Sequence, residues 1–272
     1  EIFEESESLL SERTLPPIYP YIFPILTENS SDAINNETIN KKENKNDAAN
    51  FAEENLRKTD IAQPAIGTIS LAMAKILQRF GIKHDAACGH SFGELTALAA
   101  SGWMDNRTFF ELAALRGQCM ANSSKQGKKG GMLAVKAPLN KIELLIKNNN
   151  LNLVLANRNS HDQGVLSGEI DEIKRAKKAC KEAKLRSTEL PVAAAFHSQL
   201  VEEAAKPFAE HVKKSKIKVN SSQIDVLSNT TGSYYPNKKD KVFNILSNQL
   251  KHPVNFLDNI ETLINDGYRD RK

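Results

Sequence analysis

The sequence predicts an α/β protein in which a larger domain carries a smaller inserted one, and three observations support this. A serine flanked by glycines, Ser91, stands between a short apolar run and a helix-forming run. Residues 130–195 alternate between strand-like and helix-like segments. The chain has 272 residues, of which 40% are hydrophobic, and this is enough to build one large domain with a small insert.

Composition argues against several classes of partner. The net charge is only +4, and the 37 basic residues are scattered instead of forming an arginine-rich stripe, so nucleic-acid binding is not indicated. No apolar run is long enough to span a membrane, and no signal peptide opens the chain. The widely spaced Cys88, Cys119 and Cys180 form neither a disulfide framework nor a metal motif. We therefore predict a cytoplasmic protein with no metal.

The first 80 residues contain an acidic amphipathic start, a predicted loop and a predicted helix. Residues 2–10 are acidic and amphipathic, and residues 28–50 are rich in Asn, Lys, Glu and Ser, which predicts an exposed loop. A helical pattern follows from Ile61 to Phe80. Its large apolar residues recur on one face, at Ile66, Ile69, Met73, Ile76, Leu77 and Phe80.

Residues 89–93 read G-H-S-F-G, which matches the nucleophile elbow G-x-S-x-G. The motif predicts a sharp turn from a strand, Ile82–Cys88, into a helix, Glu94–Ala100, with the Ser91 hydroxyl exposed at the turn. Glu94 lies in the first turn of that helix, where the helix dipole favours an acid. The alternative is an ordinary serine in a glycine-rich turn. A second helix is predicted over residues 106–122.

The segment from residue 130 to 195 has the order β-α-β-β-α-β, which is typical of a ferredoxin-like domain. Strands are predicted at residues 132–135, 151–156, 164–167 and 186–192, and helices at 139–147 and 170–183. Ile170, Ile173, Ala176, Cys180 and Ala183 mark the buried face of the second helix. Its lysines then point outward, which favours a solvated face over a docking patch.

His197 follows an apolar run of small residues and is a candidate general base for Ser91. The order serine first, histidine about a hundred residues later, is that of elbow-type hydrolases. A hydrolase would also need an acid to orient the imidazole ring. Asp162, Asp171 and Glu189 are available between the two residues, but none of them lies in a persuasive motif.

Several separate segments share motifs with one family. They are Thr59–Ile66, Gly89–Leu98, Leu115–Met120, Ala195–Ser198, Leu227–Gly232 and Gln249–Phe256. These segments resemble the acyltransferase domains of type I polyketide synthases and polyunsaturated fatty acid synthases, which are related to malonyl-CoA:acyl carrier protein transacylases. The A-F-H-S segment is typical of malonyl selectivity in that family. The resemblance extends from about residue 55 to the C-terminus.

The resemblance implies a fold and a reaction. The fold is an α/β-hydrolase-like core, residues 1–129 and 196–272, with a ferredoxin-like subdomain at 130–195. The reaction is malonyl transfer from CoA, through a malonylated Ser91, to the phosphopantetheine thiol of an acyl carrier protein. His197 would serve as the base. Malonyl-CoA is then a substrate, no cofactor is permanently bound, and the partners are the carrier protein and neighbouring synthase domains.

The resemblance also assigns the remaining site residues. Arg116 would pair with the malonyl carboxylate, because a planar guanidinium suits a bidentate contact; the alternative is a surface charge on a helix. The backbone N–H of Phe92 would donate to the oxyanion. A backbone carbonyl near Gln249 would orient His197, with Asn229 nearby, and this would explain the missing triad acid.

The sequence departs from the family pattern in places. Ala194 stands where a histidine is usual, as in polyunsaturated fatty acid synthase domains. The family's opening strand, which supplies a second oxyanion donor, and its closing strand are not found, so we expect an excerpt of a multidomain synthase. Two alternatives stay open. One is a serine acyl hydrolase or editing domain, and the other is an inactive or docking fragment.

Overall fold

A computed structural model describes residues 1–24, 45–126, 130–192, 194–218 and 224–268. Helices and strands alternate along much of this part of the chain. The helices are α1 (Ile2–Glu12), α2 (Tyr19–Ile22), α3 (Lys45–Leu56), α4 (Thr59–Arg79), α5 (Gly93–Ala100), α6 (Asn106–Gln126), α7 (Leu139–Asn148), α8 (Ile170–Glu182), α9 (Glu202–Lys214), α10 (Lys239–Ser247) and α11 (Phe256–Asn265). The strands are β1 (Ala86–Ala87), β2 (Gly130–Lys136), β3 (Leu153–Ser160), β4 (Gln163–Glu169), β5 (Arg186–Glu189), β6 (Asp225–Ser228) and β7 (Ser233–Tyr234).

The first sheet has three short strands in the order β1-β6-β7. Strand β1 runs parallel to β6, with Ala86 opposite Asp225, and β7 is antiparallel to β6. The carboxyl ends of two parallel strands meet at the same edge of a sheet. The residues that follow β1 and β6, including Ser91 and Asn229, are therefore brought together.

The second sheet has four antiparallel strands in the order β3-β4-β2-β5. Its strands and helices follow the predicted order β-α-β-β-α-β and lie within residues 130–189. Leu133, Leu166, Ile142, Ile173 and Cys180 are buried in a core of their own between this sheet and helices α7 and α8. The division of the chain into a discontinuous core and an insert at 130–195 stays a prediction.

A separate, larger core lies among helices α5, α6, α9 and α10. Phe109 and Leu112 of α6, Leu95 of α5 and Phe208 of α9 are all fully buried there. Trp103 joins this core after α5, and its indole N–H donates to the backbone carbonyl of Ile224 at 2.9 Å. This packing fixes α5, which begins two residues after Ser91, and α6, which carries Arg116.

The predicted apolar face of α4 lies on the surface. The exposed fractions of its large apolar residues range from 37% for Ile69 to 80% for Phe80. The buried face of α4 combines small residues, among them Ala65, Gly67 and Thr68, with the larger Ile61 and Leu71. Gly67 packs against Phe109 of α6, and Thr68 against Ser6 of α1. The helix was predicted correctly, but the buried face is the one that carries Gly67, where the close approach of Phe109 from α6 leaves no room for a side chain.

Other boundaries differ from the predictions. The strand predicted at Ile82–Cys88 is reduced to the two residues of β1, and the last strand of the insert ends at Glu189. Residues 45–50 belong to helix α3 where the composition predicts a loop, while residues 25–44 lie outside the described part of the chain. Ala183, predicted on the buried face of its helix, is exposed and follows the end of α8.

Some features are not found within the described ranges. None of the helices there is long and apolar enough to cross a membrane. Nor do those residues hold any cluster of three or more His, Cys, Asp or Glu side chains suited to a metal ion. Cys88, Cys119 and Cys180 are free thiols.

Gly117→Ala is expected to destabilise the protein, because α6 crosses α4 closely at this position. A Cβ atom on Gly117 would lie 2.5 Å from the backbone carbonyl oxygen of Thr59. Overpacking of this kind costs about 1–3 kcal/mol of unfolding free energy. Gly93→Ala is the matched control, since it also lies in a helix but its Cβ would meet no atom within 4 Å. Urea denaturation of both variants measures the difference, and equal effects would contradict the close crossing.

Candidate active site

Ser91 lies in a strained turn between β1 and α5. Its φ is +52°, in the left-handed region that costs a non-glycine residue roughly 1–3 kcal/mol. The turn is so tight that a Cβ on Gly89 would approach the backbone of Gly93 to 2.1 Å. Glycine is therefore required at position 89, as the elbow motif indicates. Helix α5 begins two residues after the serine.

Asn229 holds this turn from the neighbouring strand. Its Oδ1 accepts a hydrogen bond from the backbone N–H of Ser91 at 2.6 Å, and its Nδ2 donates to the carbonyl of Gly89 at 2.9 Å. The side chain is fully buried directly after β6. Both ends of the amide are thus engaged with the elbow backbone, and this opposes relaxation of the strained turn.

His197 faces Ser91, with 2.8 Å between its Nε2 and the serine Oγ. Its Nδ1 lies 3.2 Å from the carbonyl oxygen of Gln249 and 3.1 Å from that of His252. Carbonyl oxygens only accept hydrogen bonds, so Nδ1 carries the proton and Nε2 is free to accept the proton of the Ser91 hydroxyl. The backbone of His197 is also left-handed, with φ +58°, and its N–H donates to the carbonyl of Leu250.

The three acids considered as orienting groups lie elsewhere. Each is exposed and forms an ion pair with a lysine. The pairs are Asp162–Lys136, Asp171–Lys174 and Glu189–Lys177. Backbone carbonyls near Gln249 occupy the position at Nδ1 of His197 that an aspartate holds in a triad.

Arg116 reaches the same serine from the middle of α6. Its side chain is fully buried, and Nη2 donates to Ser91 Oγ at 3.0 Å. Nε donates to Oε1 of Gln249 and Nη1 to Oε1 of Gln63, both at 2.9 Å. A surface position, the alternative interpretation of this arginine, does not agree with this burial. The guanidinium is held by neutral acceptors and keeps its charge.

Burial and the neighbouring cation together keep His197 neutral. Desolvation, reinforced by the charge of Arg116, lowers the pKa of His197 to about 3. Burial lowers the pKa of Arg116 to about 10, which still leaves the guanidinium charged at neutral pH. The site therefore combines a neutral base, a hydroxyl and a permanent positive charge within hydrogen-bonding distance.

Phe92 lies between the serine and helix α5 and is the N-cap residue of that helix. Within the described residues its backbone N–H makes no backbone hydrogen bond, whereas those of Gly93 and Glu94 donate to the carbonyls of His90 and Ser91. A free N–H at a helix start is suited to an anionic oxygen. The Phe92 ring packs on Phe109 and under the guanidinium of Arg116, whose Cζ is 6.0 Å from the ring centroid.

Two neighbouring residues have roles that sequence reasoning missed. The sequence presents Gln63 only as part of a family motif, and its contact with Arg116 follows from the packing of α4 on α6. The helix dipole accounts for an acid at Glu94, but the side chain is fully buried and accepts hydrogen bonds from Gln249 and Tyr235. A charged residue directly before an otherwise uncharged stretch, residues 95–100, is the signal that could have identified it.

Comparison with known proteins places these residues in context. A profile described as the acyl transferase domain matches residues 23–270. The polyketide biosynthesis malonyl CoA-acyl carrier protein transacylase BaeC of Bacillus velezensis is 32% identical over 217 residues, which cover 78% of this chain and 73% of that protein. A polyunsaturated fatty acid synthase polypeptide of a Thraustochytrium species is 28% identical over 213 residues, which cover 78% of this chain and only 7% of that protein.

A solved structure agrees with the fold. The crystal structure of the malonyl CoA-acyl carrier protein transacylase from Clostridium perfringens matches with a TM-score of 0.77 and 28% identity. The match covers 98% of this chain and 74% of that one. The predicted α/β fold class and the resemblance to this family are thereby confirmed.

Ser91 should stay reactive at acidic pH, since neutral His197 is the form that can accept its proton. Activation is lost as the pH falls through the folded-state pKa of about 3, and not near the ordinary histidine value of 6.5. We expect the rate constant for fluorophosphonate labelling of Ser91 to stay level from about pH 8 to about pH 5. Ser91→Ala gives the background. A rate that halves near the ordinary histidine pKa would show that His197 is not held neutral.

Proposed function

The chain belongs to the acyl transferase domain family, and from that premise we propose that it moves a malonyl group from coenzyme A to the phosphopantetheine thiol of an acyl carrier protein. As a member of this family it is an acyltransferase. One observation carries the finer proposal. The hydroxyl of Ser91 lies between the neutral Nε2 of His197 and the buried guanidinium of Arg116.

The first half of the reaction acylates the serine. The Ser91 hydroxyl gives its proton to Nε2 of His197 while Oγ attacks the thioester carbonyl carbon of malonyl-CoA. The N–H of Phe92 stabilises the negative charge that develops on the carbonyl oxygen. The carbon–sulfur bond then breaks, and CoA leaves as a thiol with the proton returned from His197. The product of this step is malonyl-Ser91 and free CoA.

The second half uses the same groups in reverse. The phosphopantetheine thiol gives its proton to His197, and its sulfur attacks the ester carbonyl of malonyl-Ser91. Collapse of the tetrahedral intermediate breaks the bond to Oγ, which recovers the proton from His197. The carrier protein leaves as a thioester. The carbonyls of Gln249 and His252 keep His197 in one tautomer through both halves.

Arg116 supports a substrate with a free carboxylate. Its Nη2 is the guanidinium nitrogen that faces the serine, while Nε and Nη1 are held by Gln249 and Gln63. A carboxylate at the end of a three-carbon acyl group on Ser91 can accept from Nη2 in a charge-assisted hydrogen bond. An acetyl group offers no such acceptor.

The partners follow from the chemistry and from the relatives. A carrier protein must bring its thiol to Ser91 for the second half of the reaction. The similar polyunsaturated fatty acid synthase is many times longer than this chain, which supports neighbouring synthase domains as further partners. We infer a cytoplasmic location in which the three free cysteines stay reduced. The reaction as written requires malonyl-CoA as substrate and no bound cofactor.

Radiolabelled malonyl-CoA should label the protein at Ser91. Ser91→Ala is expected to abolish labelling, and His197→Ala to slow it severely, because a serine without its base is a poor nucleophile. Labelling is measured by acid precipitation and located by peptide mapping. Undiminished labelling of Ser91→Ala would contradict the assignment. Release of free malonate faster than transfer to the carrier protein would instead support a hydrolase.

Arg116→Ala should weaken malonyl transfer by the value of a buried charge pair, on the order of 2–5 kcal/mol. Acetyl transfer should be unchanged or improved, because it loses no contact. Arg116→Lys is the control: it keeps the charge but loses the planar fork, so an intermediate effect is expected. The measurement is kcat/KM with each acyl-CoA. Equal losses for both substrates would show that Arg116 has only a structural role.

A further inference from the structure

Glu94 is a buried acid to which the reaction above gives no role. Its side chain is fully inaccessible, at the start of α5 and three residues beyond the nucleophile. Oε2 accepts a hydrogen bond from Nε2 of Gln249 at 2.5 Å, and Oε1 accepts from the hydroxyl of Tyr235. Burial raises the pKa of this carboxyl, and the hydrogen bonds from Tyr235 and Gln249 act in the opposite direction by favouring the ionised form. Buried carboxylates are costly unless they are paired in this way.

The carboxylate is the nearer of two acceptors that orient the side-chain amide of Gln249; the other is the backbone carbonyl of Ser91, 3.2 Å from Nε2. An ionised Glu94 only accepts hydrogen bonds, so it must face the NH₂ group of that amide. The carbonyl oxygen then points the opposite way, toward Nε of Arg116 at 2.9 Å. The reversed amide would set NH₂ against a guanidinium that has no acceptor. Glu94, Gln249 and Arg116 therefore form a chain with one consistent direction.

The charges of the two side chains also connect Glu94 with Arg116. The direct hydrogen-bond acceptors of Arg116 are neutral: two amide oxygens, a hydroxyl and the sulfur of Met120. Glu94 is the carboxylate whose charge acts favourably on the buried guanidinium. It does so from beyond Gln249, so it balances the charge without occupying the nitrogen that faces Ser91.

We propose that Glu94 is a positioning residue that acts through the side-chain amide of Gln249, and that it holds the guanidinium of Arg116 in the place where an acyl carboxylate binds. The inference rests on the proposed function, because it assigns Glu94 to the preference for malonyl over acetyl groups. Without the negative charge the amide of Gln249 is held less firmly, because the carbonyl of Ser91, 3.2 Å from Nε2, is then the main acceptor on its NH₂ side. Arg116 loses its counter-charge and a firmly fixed acceptor, while the hydrogen bond between Ser91 and His197 is kept.

The experiment compares kcat/KM for malonyl-CoA and acetyl-CoA in Glu94→Gln, which keeps the shape and removes the charge. Misplacement of a positioned group typically costs up to about a hundredfold, so the malonyl-to-acetyl ratio should fall roughly ten- to a hundredfold. The loss should lie mainly in KM for malonyl-CoA. Tyr235→Phe is the matched control, since it removes the hydrogen bond at Oε1 and leaves the charge and Gln249 in place.

A merely structural Glu94 gives a different pattern. Both variants would then lower the melting temperature and reduce kcat/KM for malonyl-CoA and acetyl-CoA by the same factor. An unchanged malonyl-to-acetyl ratio of this kind would overturn the inference. Equal falls of the ratio in Glu94→Gln and Tyr235→Phe would overturn it as well. Glu94→Asp, which keeps the charge on a shorter side chain, should restore part of the ratio.

A second variant tests the connection between Glu94 and Arg116 through the amide of Gln249. It also replaces Glu94→Gln in the experiment if that variant does not fold. Gln249→Met removes the amide but leaves the backbone carbonyl that holds His197. If Glu94 acts through this amide, the two substitutions should be non-additive, and the double variant should match the more affected single variant. Additive losses would show that Glu94 does not act through this amide and would overturn the inference. A parent protein that transfers no malonyl group would refute the proposed function instead, whereas an intact preference in Glu94→Gln refutes only this inference.

Discussion

The buried guanidinium of Arg116 is the constraint on which the rest of the site depends. Removing such a cation from water is expensive, and fixed acceptors must replace the lost hydration. Gln63, Gln249 and Ser91 supply them from three different parts of the chain. The same charge helps to keep His197 neutral. In the proposed reaction, one side chain thus serves both the base and the substrate carboxylate.

The fold brings these groups together through two strained residues. Ser91 and His197 both adopt left-handed backbone conformations, at φ +52° and +58°. The parallel pair β1 and β6 places Asn229 beside the first, and the carbonyl of Leu250 accepts from the N–H of the second. Side chains therefore need little adjustment at the moment of reaction, because the surrounding structure already holds the strained geometry.

The elbow and the order of strands and helices over residues 130–189 could be predicted because local chemistry determines them. Only glycine fits at position 89, and the alternation over residues 130–195 reports strands and helices directly. The apolar face of α4 was wrongly predicted to be buried, because periodicity identifies a face of a helix but not the neighbour that packs on it. The contacts of Gln63 and Glu94 depend on segments more than fifty residues away, so their roles became visible only in the structure.

The chemical type of each partner of Arg116 has a physical rationale. A carboxylate in direct contact with Nη2 would neutralise the guanidinium and compete with a substrate anion for the same donor. An amide orients the guanidinium and leaves its charge available. The compensating negative charge of Glu94 then lies one residue further away, behind Gln249, where the neutral donors of Gln249 and Tyr235 hold it. The charge of the buried guanidinium is thus balanced from a distance, and its Nη2 is left to face Ser91.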